Sequence, residues 1–259
     1  MSTKLFDDIV FGPVSSRRLG ISLGVNLLPV DGKVCSFDCI YCECGYNAQG
    51  RGKRGLPDRT DVYKALDVRL QKMYENKEKL DVITFAGNGE PTLHPQFGEI
   101  IDDTLFLRDK WFPSAKVSVL SNATCIAKKT VFDALSKVDN NILKLDSANR
   151  ETIALLNAPN AVNFSVEELI DNLKKFEGNL IVQTLFVRGC HQEKIVDNTT
   201  EKEIDEWVKA IQKINPRQVM IYTIDRETPE KNLEKISRKE LEEIADRVRS
   251  LGYEVSVSA

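Results

Sequence analysis

Apolar runs of β type alternate with amphipathic segments along almost the whole chain. A short apolar run predicts a buried strand, and apolar residues that recur at helical spacing predict a helix with one face in the core. Because the two kinds of segment alternate, the pattern predicts βαβ units and a parallel sheet. The predicted strands are Leu23–Leu28, Val82–Phe85, Val117–Leu120, Ile142–Leu145, Leu180–Val187, Val219–Tyr222 and Val255–Val257.

The helical segments carry start and stop signals. One segment begins near Thr60, and two others are predicted near Gln96–Leu107 and Lys128–Leu135. The last helix is expected to end at Gly252, since glycine readily adopts the left-handed conformation that closes many helices. Three helices, the last one among them, are predicted to begin at capping boxes, in which a serine or threonine is followed three residues later by glutamate; the capping residues are Ser165, Thr200 and Ser237.

About six strand–helix units can be counted along the sequence. That number is too small for a closed eightfold barrel and fits either a partial barrel or a doubly wound sheet. No linker, repeat or low-complexity segment divides residues 1–259, so a single domain is predicted. In both architectures the functional residues lie in the loops that follow the carboxyl ends of the strands.

Composition narrows the class of protein. The 259 residues are 42% hydrophobic and 29% charged, which is typical of a soluble globular protein. The net charge of −3 provides no overall positive field for nucleic acid or membrane binding. The sequence starts without the pattern of a secretory signal, and it has no apolar stretch as long as a membrane span. We therefore expect a cytoplasmic protein whose thiols stay reduced.

Three of the six cysteines, Cys35, Cys39 and Cys42, fall within eight residues directly after the first predicted strand. Three thiolates at this spacing can ligate three irons of a cubic cluster and leave the fourth iron without a protein ligand. Two alternatives remain open. Together with Cys44 the three cysteines could hold a structural zinc, although zinc ligands usually form two separated pairs. They could also be spare buried thiols.

The pattern C-x-x-x-C-x-x-C, with aromatic Tyr41 just before the third cysteine, resembles the signature of the radical S-adenosylmethionine (SAM) superfamily. The resemblance implies a 4Fe-4S cluster held by Cys35, Cys39 and Cys42, with the amino and carboxylate groups of SAM chelating the open iron. It also implies a partial (β/α)6 TIM-like barrel, in a single domain, and reductive cleavage of SAM to a 5′-deoxyadenosyl radical that abstracts hydrogen from a substrate.

A second motif follows the strand Val82–Phe85. The segment Gly87-Asn88-Gly89-Glu90-Pro91 resembles the glycine–glutamate motif that contacts the amino group of SAM in this superfamily. Glycines at a strand end allow the backbone to approach a ligand closely, and Glu90 is expected to pair with the ammonium. Asn88 stands where the family usually has its second glycine.

Two later strand ends also resemble SAM-binding positions. Ser121 and Asn122 match the position whose polar side chain meets the ribose hydroxyls, and Lys144 and Asp146 match positions that face the methionine part of SAM. Turn formation or helix capping is the alternative for each residue taken singly, because such residues favour strand–helix corners. Their order after successive strands favours the cofactor interpretation.

A narrower resemblance concerns segments outside these motifs. Phe11–Gly20, Ser22–Val25, Glu90–Pro95 and Thr223–Arg226 are similar to a group of iron–sulfur oxidoreductases related to the wyosine-base tRNA-modifying synthetases. This kinship implies the cofactors and leaves the substrate open.

Some reactive residues remain unassigned. Cys125 and Cys190 each follow a predicted strand, where a thiol can donate a hydrogen atom to a substrate radical, but small partly buried residues are the preferred interpretation. His94 and His191 are the two histidines, both in loops after strands, and we interpret each as a hydrogen-bonding loop residue.

The leading hypothesis is thus a radical SAM enzyme. Alternatives are an activating enzyme for a partner protein radical, a tRNA-modifying enzyme and a zinc-stabilised binding domain.

The expected substrate is a small molecule or peptide with an anionic group, with RNA as a second possibility. An electron donor such as flavodoxin or ferredoxin is also expected, and membrane binding is not. The anion is expected near Arg51, Lys53 and Arg54, with Arg17 and Arg18 as a second clamp. RNA is disfavoured because the run Arg51–Arg59 is short.

Overall fold

The computed structural model describes residues 4–16 and 19–259, and its strands alternate with helices as the hydrophobic pattern predicts. The strands are β1 (Val10–Ser16), β2 (Gly20–Val25), β3 (Val82–Phe85), β4 (Lys116–Ser121), β5 (Asn140–Lys144), β6 (Ile181–Leu185), β7 (Val187–His191), β8 (Lys194–Asp197), β9 (Gln218–Tyr222), β10 (Leu233–Lys235) and β11 (Glu254–Ser258).

The α-helices are α1 (Arg59–Glu75), α2 (Phe97–Trp111), α3 (Lys129–Lys137), α4 (Arg150–Leu156), α5 (Val166–Lys174), α6 (Glu201–Ile214) and α7 (Arg238–Arg249). Two 3-10 turns lie at Asn47–Gln49 and Pro91–Leu93. Among the same described residues, no helix is both long and apolar enough to cross a lipid bilayer.

The main sheet has eight strands in the order β1-β2-β3-β4-β5-β6-β9-β11 and curls into a half-barrel. Strands β2 to β11 within it are parallel, and only the edge strand β1 pairs antiparallel. The predicted partial barrel is confirmed. All parallel strands therefore end at one rim, which gathers the loops that carry the candidate site.

The helices cover the convex face of the sheet, where the main core forms. Helix α1 contributes Val62, Leu66, Leu70 and Met73 at the predicted helical spacing, and all four are buried. Strand β3 is buried along its whole length because helices cover one face and the barrel interior covers the other.

The capping signals hold at the helix starts. Ser165, Thr200 and Ser237 each accept a hydrogen bond from the backbone N–H three residues later, and the reciprocal bond of a full capping box forms at Ser237 with Glu240. Helix α7 ends at Arg249, and Gly252 adopts a φ of +93° in the turn that follows. Each cap satisfies a backbone donor that the first helical turn cannot pair internally.

Several predicted strands differ by one or two residues at their ends, and two differ in a way that changes the course of the chain. Leu180–Val187 is interrupted at Phe186, where the backbone turns and Val187 begins β7 with its N–H bonded to Asn198 Oδ1 at 2.9 Å. β7 joins a second, three-stranded antiparallel sheet of order β10-β7-β8. The first predicted strand, Leu23–Leu28, ends instead at Val25, because the side chain of Asn26 bonds both backbone groups of Leu28 and turns the chain.

Candidate functional site

The cysteine loop follows β2 and lies at the rim of the half-barrel. On one side it pairs with the glycine-rich segment after β3, where the Val34 N–H donates to the Asn88 carbonyl at 2.9 Å and the Glu90 N–H donates to the Val34 carbonyl at 3.0 Å. Gly89 has a φ of +136°, and a Cβ there would lie 1.9 Å from the Val34 carbonyl oxygen. A glycine is therefore required for this close approach.

On its other side the same loop is bonded to the segment that follows α4. The Ile40 N–H donates to the Leu156 carbonyl at 3.0 Å, and the Asn160 N–H donates to the Ser36 carbonyl at 2.9 Å. Phe37 also forms an isolated bridge with Pro159. The loop is thus held between two segments that are distant in sequence, which restricts the positions of its cysteines.

Two amide side chains donate to the cysteine sulfurs. Asn122 Nδ2 lies 3.5 Å from Cys35 Sγ, and Asn157 Nδ2 lies 3.3 Å from Cys39 Sγ. Hydrogen bonds to sulfur stabilise the thiolate form and adjust the redox potential of an iron–sulfur cluster. Asn157 is a residue that sequence reasoning missed, because it lies 118 residues from Cys39 and no motif marks it.

Lys33 is a second residue that sequence reasoning missed, although it lies two positions before Cys35. Its side chain is 2% exposed, and Nζ donates to the Gly45 carbonyl at 2.6 Å and lies 3.4 Å from Asp38 Oδ1. Burial lowers the pKa of Lys33. The charges of the neighbouring cysteines, with Cys42 the largest, and of Asp38 raise the pKa by more, so its net shift is upward. A buried ammonium thus sits beside the cysteines.

The thiols differ in acidity. Burial raises the pKa of Cys35 to about 12 and that of Cys39 to about 11. The pKa of Cys42 is lowered to about 6, chiefly by a hydrogen bond from the Cys44 side chain. Buried thiolates are costly unless a cationic centre binds them, so this donor set suits a metal cluster better than free thiols.

The zinc alternative gains no support from the geometry. Within residues 4–16 and 19–259, no three His, Cys, Asp or Glu side chains are grouped so that they could hold a single metal ion. The cysteines of a cubic cluster each bind a different iron and need not meet at one point.

Glu90 lies near Cys35 and is 2% exposed. Its Oε1 accepts hydrogen bonds from the Thr92 N–H at 3.1 Å, the Thr92 hydroxyl at 2.5 Å and the Ser121 hydroxyl at 2.8 Å. Its Oε2 accepts from the Asn122 N–H at 2.7 Å. Burial raises the pKa of Glu90, and the four donors offset this only in part. Glu90, Ser121 and Asn122 therefore form one of two polar groups at the site.

Asn88 has a structural role in the same segment. Its fully buried side chain donates to the carbonyls of Phe6 and Pro29, both at 2.8 Å, and accepts from the Phe6 N–H at 2.8 Å. A glycine at this position would lose these three bonds. Gly87 is equally constrained, since a Cβ there would meet Asn26 Oδ1 at 2.3 Å.

The second polar group is centred on Asp146, which lies near Cys39. Its Oδ1 accepts from the Leu185 N–H at 2.9 Å. Its Oδ2 accepts from the Tyr41 hydroxyl and from Asn157 Nδ2 at 2.8 Å, and Lys144 Nζ lies at 3.5 Å. This carboxylate connects the cysteine loop to β5, β6 and the segment after α4.

Lys144 points between two aromatic rings on the concave face. Its Nζ lies 5.2 Å from the ring centroid of Tyr41 and 5.8 Å from that of Tyr222. Burial lowers its pKa, but the negative charge of Asp146, followed by Tyr222 and Cys39, raises it, and the net pKa lies well above the usual value. Lys144 is therefore a cation.

The predicted site residues thus fall into two groups beside one cysteine loop, Glu90 with Ser121 and Asn122, and Asp146 with Lys144 and Tyr41. Their contacts with SAM stay a prediction. Arg17 and Arg18, the second expected anion clamp, lie outside the described residues.

The remaining candidates lie away from these groups. Cys125 is buried in the helix-facing core, and Cys190 lies on β7. His94 bonds the Pro57 carbonyl at 2.9 Å, and His191 Nδ1 lies 2.8 Å from Glu230 Oε2, so both histidines are hydrogen-bonded as predicted. In the basic segment, Arg59 pairs with Asp103 through two bonds of 2.6 and 2.7 Å.

Comparison with known proteins identifies the class. The model of the radical SAM superfamily matches residues 30–197, which is more than half of the chain and includes the cysteine loop and both polar groups. The chain therefore belongs to the radical SAM superfamily. Membership implies an enzyme that uses SAM together with an iron–sulfur cluster.

Curated relatives are similar over most of this chain. A UPF0026 protein of Synechocystis sp. is 30% identical over 225 residues, which cover 85% of this chain and 77% of that protein, so the chain groups with the UPF0026 proteins. A UPF0026 protein of Methanocaldococcus jannaschii is 30% identical over 86% of this chain and 65% of its own length. The GTPase Obg of Brachyspira hyodysenteriae is 30% identical over 93% of this chain, which spans 33% of that protein.

Solved structures share the fold at low sequence identity. A radical SAM methyltransferase from Sphaerobacter thermophilus has a TM-score of 0.68 and 14% identity over 92% of this chain and 65% of its own. SuiB of Streptococcus suis, bound to S-adenosylmethionine, has a TM-score of 0.65 and 15% identity over 91% and 50% of the two chains. TYW1 with a lysine-pyruvate adduct has a TM-score of 0.61 and 14% identity over 88% and 73%.

Proposed function

We propose that this chain is a radical SAM enzyme whose 4Fe-4S cluster is held by Cys35, Cys39 and Cys42, and which abstracts a hydrogen atom from a small-molecule or peptide substrate. When bound, the cluster supplies one electron that cleaves SAM into methionine and a 5′-deoxyadenosyl radical, which takes a hydrogen atom from a C–H bond of the substrate. The electron comes from an external donor such as flavodoxin or ferredoxin.

The observation that carries this proposal is the environment of the cysteine loop. Backbone hydrogen bonds hold the loop on both sides, and two of its sulfurs accept hydrogen bonds from Asn122 and Asn157. The buried ammonium of Lys33 lies beside the cysteines. Amide donors and a cation around three thiols are what a negatively charged sulfur cluster requires, since each offsets part of the cost of burying its charge.

The two polar groups have distinct parts in the proposal. Glu90 holds the ammonium of SAM, with Ser121 and Asn122 nearby for the ribose, and no cationic side chain among the described residues hydrogen-bonds to this carboxylate. The cation of Lys144, orientated by Asp146 and Tyr41, faces the methionine carboxylate.

A small molecule or peptide is favoured as substrate over RNA. The net charge is −3, and of the basic segment Arg59 is already paired with Asp103. Sustained contact with phosphates needs a larger basic surface. An anionic substituent would meet Arg51, Lys53 and Arg54.

Anaerobic reconstitution tests the ligand assignment. We expect about four irons per chain in the wild type, and loss of the cluster when Cys35, Cys39 or Cys42 is replaced by alanine. Cys44→Ala is the matched control, because it removes a thiol from the same loop and should leave the iron content unchanged. Retention of iron in Cys35→Ala, with loss in Cys44→Ala, contradicts the assignment.

Product analysis tests the reaction. With SAM and a reductant we expect slow formation of 5′-deoxyadenosine, and faster formation when the correct fraction of cell extract is added. Stimulation by the RNA fraction alone, abolished by ribonuclease, would overturn the preference for a small molecule or peptide.

A further inference from the structure

A polar side-chain atom on the concave face of the sheet, Nε2 of Gln183, has no hydrogen-bond partner among the described residues. Gln183, at the centre of β6, is 7% exposed, and its Nε2 is buried without a hydrogen-bond partner among the residues that the structure describes. A buried donor left unpaired costs free energy, so Gln183 Nε2 needs an acceptor from outside the described residues, and the direction in which it points decides what can supply one.

The position of Gln183 follows from the alternation of β6. Val182 packs in the helix-facing core, and Thr184 accepts a hydrogen bond from Trp207 Nε1 of α6 at 3.0 Å. Neighbouring side chains on a strand point to opposite faces. Gln183 therefore points into the half-barrel, together with Ile181 and Leu185.

The residues above and below Gln183 define what it faces. Below it lie Ile181 and its register partner Ile142, which form a small apolar cluster with Met220, the residue beside Gln183 on β9; this cluster forms the floor of the concave face. Above it, Leu185 packs with Tyr41 and other residues of the cysteine loop. Gln183 thus lies between an apolar floor and the loop proposed to hold the cluster.

The residues beside Gln183 on the neighbouring strands also face the half-barrel. In the strand register Gln183 pairs with Lys144 on β5 and with Met220 on β9. Lys144 already contacts Asp146, Tyr41 and Tyr222, whereas Gln183 Nε2 has no partner among the described residues. A ligand seated on the floor therefore meets one carboxamide beside apolar side chains.

We infer that Gln183 is a specificity-determining residue that binds an amide group of the substrate, with an apolar substituent of the substrate on the floor formed by Ile142, Ile181 and Met220. The carboxamide of glutamine offers N–H donors on Nε2 and an acceptor on Oε1, and its complement is another amide, such as that of a peptide or a blocked amino acid. This inference rests on the proposed function and names the substrate class of that site.

The test compares two probes that differ in one group, N-acetyl-leucine methylamide and N-acetyl-leucine methyl ester. The ester carbonyl is a weaker acceptor for Gln183 Nε2 than the amide carbonyl, and the ester also lacks the N–H that could donate to Gln183 Oε1. Calorimetric titration of the reconstituted protein should give a dissociation constant about three- to tenfold lower for the amide, as expected for one hydrogen bond. In Gln183→Leu the preference should disappear.

Asn141→Leu is the matched control. Asn141 is 2% exposed on β5, and both its amide atoms lack a partner in the described part of the chain, but it shares the helix-facing side with Leu143. Both leucine variants remove a buried unpaired amide and should raise the midpoint of urea unfolding. Only Gln183→Leu should change probe selectivity.

Three results would overturn the inference: equal binding of the two probes by the wild type, no binding of the amide at its solubility limit, or an unchanged preference in Gln183→Leu. Failure of the proposed function shows separately, because iron content and 5′-deoxyadenosine formation are measured without either probe.

Discussion

Two buried carboxylates flank the cysteine loop, and the protein holds them differently. Glu90 accepts four hydrogen bonds, all from neutral groups on its own segment and the adjoining strand end. Asp146 accepts from neutral donors as well, but the cation of Lys144 lies 3.5 Å from it. The charge of Asp146 is therefore compensated within the protein, whereas that of Glu90 is not.

This difference separates a structural carboxylate from a binding one. Asp146 connects Tyr41 of the cysteine loop with Lys144, Asn157 and the backbone of Leu185, so it orders several elements at once. Glu90 accepts hydrogen bonds from neutral groups alone, and burial raises its pKa, so no counter-charge from a described residue is hydrogen-bonded to its carboxyl group. Of the two, Glu90 is the better partner for a cationic ligand group, which is the role proposed for it.

The largest effect is expected from Asp146→Asn. The substitution leaves Lys144 buried without its counter-charge, which should lower the free energy of unfolding by about 3–5 kcal/mol. Urea unfolding followed by circular dichroism measures the loss. Adding Lys144→Met to Asp146→Asn should restore part of it, because the uncompensated charge is then removed. A loss below about 1 kcal/mol, the size of an exposed ion pair, would mean that Asp146 is not the structural carboxylate.

A smaller effect, mainly on the binding of SAM, is expected from Glu90→Gln. The substitution removes the charge proposed to pair with the ammonium of SAM, and the affinity for SAM should fall by a factor of about ten or more. Titration of the reconstituted protein with SAM provides the measurement.

Glu203→Gln is the control for this change. Glu203 is also buried and accepts from the Ser147 and Thr152 hydroxyls at 2.6 and 2.7 Å, but it lies on α6. It should leave SAM affinity unchanged. An equal loss in both variants would show that the effect of Glu90→Gln is structural.

The helix-facing half of the fold was accessible from the sequence. The run Val82–Phe85 and the face of α1 were predicted because buried parallel strands and amphipathic helices have distinct periodicities. Strand β1 was missed because its burial pattern has no clean alternation and its pairing is antiparallel at a sheet edge. The break at Phe186 was missed because the apolar run continues through it.

Only part of the candidate site could be predicted from the sequence, because only some of its residues lie in a recognisable motif. Motifs mark the cysteines and the ends of successive strands, since these residues are close in sequence to a strand end. Asn157 and Gln183 carry no such mark. Asn157 comes near Cys39 through the fold, and Gln183 is distinctive because its unpaired Nε2 belongs to a side chain that points into the half-barrel, which no sequence pattern reports.

The smallest effect concerns pH and adds a third carboxylate to the comparison. Asp139 lies at the start of β5, the end of the sheet opposite the site, and its Oδ2 accepts from Arg108 at 2.9 Å and from the Val117 N–H at 2.8 Å. Burial raises its pKa, but these two donors and Lys116 lower it by more, so the net pKa of Asp139 is lowered. The pKa of Glu90 is raised, because burial there outweighs neutral donors.

The two shifts have opposite consequences for stability. Asp139 binds fewer protons in the folded state, so its contribution is present above its ordinary value of 3.8 and is lost as the pH falls through the lowered pKa. Glu90 binds more protons in the folded state, so its contribution to stability is greatest below pH 4.5 and declines as the pH rises through the raised pKa.

Urea unfolding of the metal-free wild type, of Asp139→Asn and of Glu90→Gln across this pH range measures how each contribution to stability changes with pH. The cost of Asp139→Asn should shrink towards low pH, and that of Glu90→Gln should shrink towards neutral pH. If both costs change in the same direction with pH, neutral donors and cationic donors have the same effect on a carboxylate in this protein. The distinction between Glu90 and Asp146 then fails.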